Sequence, residues 1–212
     1  MAKSSRKRKK APAKQPKNVA SKQSAEETKP TSFSTRYVIY GIAVLALTGA
    51  GYGFFAPQQE EGAFEAFAAA GQSELKRVET FPNEGRAHVP AGTQINYGTN
   101  PPTSGPHFIH WVNPGFYETS KGRSNLVHSL EHGMIVIYYD QPSAEDLETL
   151  KRWTALFTGP WSGIVSVRRA GLGEKVILTA WRRILRLDRL ETEAAAAFID
   201  AYRGRGPENP VR

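Results

Sequence analysis

From Tyr37 to Ala56 the chain reads YVIYGIAVLALTGAGYGFFA, twenty residues without a single charge. A helix rising about 1.5 Å per residue would carry that stretch across the roughly 30 Å hydrocarbon core of a bilayer. Its ends are aromatic, Tyr37 and Tyr40 on one side and Tyr52, Phe54 and Phe55 on the other, as suits two membrane interfaces. Arg36 flanks it, which predicts an N-terminus held in the cytoplasm and a downstream part placed outside the cell membrane. A cleaved signal peptide is the rival expectation, but its apolar core is usually only about 7–15 residues long and ends at a small-residue cleavage site. A helix buried in a protein core is the other. Either an anchor or a signal exports the residues downstream of it.

The charge divides at the same place. Eleven Lys and Arg stand against Glu26 and Glu27 between Met1 and Arg36, so the tail carries +9 and the remainder −1 of the whole chain's +8. A basic chain of this kind suggests nucleic-acid binding only where the cations cover a folded surface. Here Lys3, Arg6, Lys7, Arg8, Lys9 and Lys10 lie among Ala, Pro, Ser and Gln with almost nothing to bury, which predicts disorder and makes nucleic acid an unfavoured partner. A cytoplasmic basic tail beside an anchor faces anionic lipid head groups instead.

The expected organisation is therefore a basic tail over residues 1–36, a single membrane span over 37–56, a partly helical linker over 57–80 and an exported α+β domain over 81–212. In the linker, Phe64, Phe67, Leu75 and Val78 fall roughly along one helical face. Residues 81–122, rich in Gly, Pro, Asn and Thr, predict loops and short strands. A short helical segment ending at Gly133 is expected next, followed by MIVIYY as a buried strand. Ser143 offers an N-cap, with Leu147, Leu150, Trp153 and Phe157 on one face of the next helix. GIVSVRR and EKVILTAW read as a hairpin turning at Gly171–Gly173, and TEAAAAFIDAYRG as a last helix. The pattern predicts a small mixed-sheet layered domain, with a thioredoxin-like arrangement as the specific expectation. The chain has no cysteine, so thiolate chemistry and disulfides are excluded.

All five histidines, His88, His107, His110, His128 and His132, fall between residues 88 and 132. Imidazole is the commonest metal ligand, and without cysteine an exported site binds metal through His and carboxylate. In HSLEHG, His128 and His132 share a face about 5–6 Å apart if the segment is helical, with Glu131 beside them. In a strand they would stand about 13 Å apart, beyond one ion. Gly133 favours the helix. The candidate metal ligands are His107, His128, His132, Glu131 and His88, the ion copper or zinc, with Met134 as a soft ligand if it turns inward. HSLEH also has the letters of H-x-x-E-H, which would make Glu131 a general base in a metal-dependent hydrolase, but that motif wants a long helix and a third ligand. One non-enzymatic alternative stands beside these, an interaction module for an envelope protein partner in which the same polar residues form a structural hydrogen-bond network. No nucleotide-binding fingerprint is present.

PPTSGPH, then W-x-x-P-G-x-Y, then LVHSLEHG-x-I-V-I-Y-Y together resemble the signature of the bacterial family catalogued as domain of unknown function 3105, with similar TAW and GPE pieces near the C-terminus. The resemblance implies the layout of a basic start, one membrane segment and an exported domain. It also implies that His107, His128, Glu131 and His132, with His88, belong to the family's polar motif. It implies no reaction.

Overall fold

The computed structural model describes residues 58–212. The basic tail and the Tyr37–Ala56 segment lie outside the described residues, and among those described no helix is long and apolar enough to cross a membrane. Residues 58–70 form helix α1, and a 3-10 turn covers Gln72–Arg77. Beyond it come β1 (Glu79–Thr80), β2 (Gly115–Tyr117), α2 (Arg123–Glu131), β3 (Ile135–Tyr139), α3 (Ala144–Leu156), β4 (Ile164–Arg168), β5 (Val176–Ala180), β6 (Arg183–Leu187) and α4 (Thr192–Tyr202). The six strands make one mixed sheet in the order β1-β6-β5-β3-β4-β2.

β3 is the centre. Its five residues are all buried, because its alternating side chains enter two different cores. Ile135, Ile137 and Tyr139 face a core built with Phe64, Leu150, Trp153, Phe198 and Ile199 from α1, α3 and α4. Val136 and Tyr138 face a second core with Leu126 and Leu130 of α2 and with Met134, Val165, Val167, Ile177 and Ile184. Each fully buried aliphatic side chain of this kind contributes about 1.5–3 kcal/mol. The sheet is thereby covered on both faces, by three helices on one side and by α2 with its overlying loops on the other.

The helix signals act as expected. Ser143 Oγ accepts from the Asp146 backbone N–H at 3.1 Å, opening α3. The expected hairpin of GIVSVRR with EKVILTAW is not present. β4 pairs parallel with β3, and β5 pairs antiparallel with β3 on its other side, so β3 separates them. A strand apolar on both faces takes neighbours on both edges, and α3 provides the crossover that parallel pairing requires. The hairpin is instead β5–β6, turning at Trp181–Arg182, with Arg182 at φ 64°.

The segment before residue 81 does not present one continuous apolar face. Phe64 and Ala68, one helical turn apart, are buried while Phe67 between them is 36% exposed, and the helix gives way to the 3-10 turn before Leu75 and Val78. Phe64 meets Trp153 and Phe157 edge-on, at centroid distances of 5.5 and 4.8 Å. Phe64→Leu keeps most of the apolar volume but loses both edge contacts, and is expected to lower stability by about 1–2 kcal/mol in urea unfolding.

Candidate metal centre

α2 is buried on nearly every side, which its sequence explains. Leu126 and Leu130 point to the sheet, and the opposite stripe carries Ser124, His128, Glu131 and His132 under the proline-rich loop. That loop has backbone groups with no strand to pair with, and α2 side chains satisfy them. Ser124 Oγ accepts from the Phe108 N–H at 2.8 Å, and Asn125 Nδ2 donates to the His110 carbonyl. Ser129 Oγ both accepts from and donates to the backbone of Val112.

The helix ends where its glycine demands. The Gly133 N–H reaches the Leu130 carbonyl at 3.0 Å and the Met134 N–H reaches that of Ser129 at 3.1 Å, a Schellman closure with Gly133 at φ 94°. His132 is thus the C-cap, still in the right-handed helical conformation, and His128 and His132 share one face with ring centroids 4.7 Å apart. Met134, just past the turn, goes into the apolar core at 0% exposure and is not a soft ligand among the imidazoles.

His107 closes the PPTSGPH loop. Its N–H bonds the Ala87 carbonyl and its own carbonyl accepts from Val89, which lays His88 beside it with ring centroids 5.0 Å apart. The His107 ring is fully buried. Nδ1–H donates to the Gly105 carbonyl at 2.8 Å, leaving Nε2 to face Glu131 Oε2 at 2.9 Å. Two lone pairs cannot meet at that distance, so a proton lies between them in this arrangement, and a metal ion bonded to both at about 2.0–2.2 Å would take its place only with the pair spread apart. Glu131 is only 4% exposed, and His88 Nε2 and the Arg86 guanidinium each lie 3.9 Å from one of its oxygens.

His128 completes this group. Nδ1–H donates to the Phe108 carbonyl at 2.9 Å, so Nε2 is its unprotonated nitrogen. Burial lowers its pKa to about 4, against the opposing pull of that carbonyl, and the neighbouring His107, His132 and His88 push the same way as burial. A neutral imidazole with one nitrogen tied to a carbonyl and the other free is the form that binds metal. Ligand atoms of His88, His107, His128 and Glu131 all lie within 4.8 Å of one another.

His132 does not join them. Its Nε2 lies 3.1 Å from Glu208 Oε2, and its Nδ1 has no hydrogen-bond partner. Burial lowers its pKa, opposed by Glu208 and by a Pro160 carbonyl that lies near without hydrogen-bonding geometry. His128, His132 and Glu208 form a second group whose ligand atoms lie within 4.8 Å of one another. The ligand set expected as one is therefore two sets that share His128. His110 is exposed and outside both.

Glu208 was not among the expected ligands, although GPE stood out as a motif. The reason for that motif is its contact with the end of α2. Gly204 N–H bonds the Gly133 carbonyl and Glu208 N–H bonds that of Glu131, so residues 204–208 cross the end of α2. Gly206 lies against the Glu131 carbonyl and the Gly133 nitrogen too closely for any side chain. The H-x-x-E-H reading fares poorly on this geometry. Glu131 is committed to His107, α2 is only nine residues long, and His132 pairs with Glu208 instead.

Comparison with curated proteins and with solved structures gives no match. A family model does match, and its residues take in both donor groups. It is described as protein of unknown function (DUF3105) and covers residues 88–212, more than half of the chain, which therefore belongs to that family.

Proposed function

We propose that this chain is a membrane-anchored extracytoplasmic module that binds one transition-metal ion, copper or zinc, at His88, His107, His128 and Glu131. The observation that carries it is the convergence of three imidazoles and a carboxylate from separate segments within 4.8 Å, two of the rings having Nδ1 held by backbone carbonyls so that Nε2 is the nitrogen left to coordinate. Three imidazole nitrogens and one carboxylate suit zinc(II) or copper(II), and with Met134 in the core no soft donor favours copper(I). Four protein ligands leave no open position, which argues for holding the ion rather than for hydrolysis on it.

The anchor is Tyr37–Ala56 on this reading, and the basic tail lies on anionic lipid at the cytoplasmic face. The run β3-α3-β4-β5-β6-α4, with strands ordered β6-β5-β3-β4, supports a thioredoxin-like core. Lacking cysteine, such a core serves as a scaffold and not as a thiol redox centre. An envelope protein is the expected partner, as giver or receiver of the ion.

A second reading has its own observation. His107 and Glu131 already meet at 2.9 Å, and a shared proton closes the network without any ion. Metal loading decides between them. The full chain, purified without a histidine tag and equilibrated with zinc(II) or copper(II), is expected to retain about one ion per chain through gel filtration. Retention of none would leave the structural network.

A further inference from the structure

The two donor groups have one residue in common, and that residue has one nitrogen to give. The Nδ1–H of His128 is on the Phe108 carbonyl, so only the Nε2 lone pair is open. One lone pair serves one ion at a time. The groups also differ in access. In the first, His107 is 0% and Glu131 4% exposed, and only the His88 side chain, at 44%, reaches solvent. In the second, the Glu208 side chain is 39% exposed, and it lines an open cleft with His88, His128, His132, Trp111 and Trp161. His132 brings to that cleft a buried ring whose Nδ1 is unpartnered and whose Nε2 has only the carboxylate of Glu208.

We propose that His128, His132 and Glu208 are an outer metal position that receives the ion and passes it, through His128, to the buried ligands His107 and Glu131, with His88 closing the shell from the cleft side. The proposal rests on the metal reading above. In the transfer the ion keeps His128 Nε2, leaves His132 and Glu208, and gains His88, His107 and Glu131. Each position supplies a single carboxylate, so the formal charge on the ion's ligands is the same at both. The path is short, since the His128 ring centroid is 4.7 Å from that of His132 and 4.8 Å from those of His88 and His107. Because His128 is needed in both, the two positions are never filled together.

Copper(II) quenches nearby indoles, and Trp111 and Trp161 flank His132 at centroid distances of 4.6 and 4.3 Å. The test is stopped-flow tryptophan fluorescence of the full chain mixed with copper(II) nitrilotriacetate, comparing wild type with Glu208→Gln and His132→Gln. Elemental analysis counts the bound ions, and thermal melts confirm folding. The expected result is about one ion per chain in all three, with uptake slowed about tenfold or more in each variant, a barrier rise of about 1.4 kcal/mol. Equilibrium affinity of Glu208→Gln is expected to stay within about threefold of wild type, under 1 kcal/mol. Two ions per wild-type chain would overturn the proposal. So would unchanged uptake in folded Glu208→Gln, or a loss of affinity there of about tenfold or more. A wild-type chain that binds no copper fails the metal reading itself. One that binds a single ion with unaltered variant kinetics fails only the relay.

Discussion

A full chain carrying His107→Asn together with His128→Asn is expected to bind zinc(II) and copper(II) about a thousandfold more weakly than wild type, since even outer-shell partners of a metal are worth about 10–100-fold each and both of these are direct ligands. Asparagine is the informative replacement. Its amide N–H can take over the Nδ1–H bonds to the Gly105 and Phe108 carbonyls, so the loop stays stitched to α2 while both Nε2 atoms are removed. The variant leaves Glu131 buried without its 2.9 Å partner, which costs about 1–3 kcal/mol of stability. Competition with a chelator of known affinity measures the first effect and urea unfolding the second. If the residues are only a polar network, the second effect is seen and the first has nothing to act on.

Gly133→Ala is expected to destabilise the domain by about 2–5 kcal/mol, the sum of about 1–2 for a left-handed backbone and about 1–3 for overpacking. Gly133 has φ 94°, and an added Cβ would stand 2.7 Å from the Gly206 nitrogen and 2.9 Å from the Trp161 carbonyl oxygen. Both are backbone atoms and neither can swing away. Gly171 is the control. With φ 88° and nothing within 4 Å, its change to alanine costs only the backbone part, about 1–2 kcal/mol. Urea unfolding of the two variants separates conformation from close packing. A Gly133→Ala loss no larger than that of Gly171→Ala would show that the C-terminal tail is not held against α2 as described.

What could be read along the chain was local. The Ser143 cap, the doubly apolar run of β3, the alanine-rich α4 and the glycine stop of α2 each depend on neighbours a few residues away. The β5–β6 hairpin escaped because its turn, Trp181–Arg182, has no Gly or Asn to mark a positive φ. The pairing of β4 with β3 escaped because nothing in a strand's own residues says which edge it will take. At the site, clustering of histidines along the chain pointed to the segments that converge, and the glycine after His132 pointed to the helical spacing of His128 and His132. The division into two groups was not legible. It depends on Ala87 and Val89 bonding His107, and on a tail residue, Glu208, carried to His132 by Gly204 and Gly206. Such contacts arise only when distant segments fold together.

The most direct measurement is the X-ray absorption spectrum of the full chain loaded with one equivalent of zinc(II). Three imidazole nitrogens and one carboxylate oxygen at about 2.0–2.2 Å are predicted, with the imidazole scattering reduced by about two thirds in the His107→Asn, His128→Asn variant. A wild-type shell of oxygen atoms with one imidazole or none would contradict metal binding at His88, His107, His128 and Glu131.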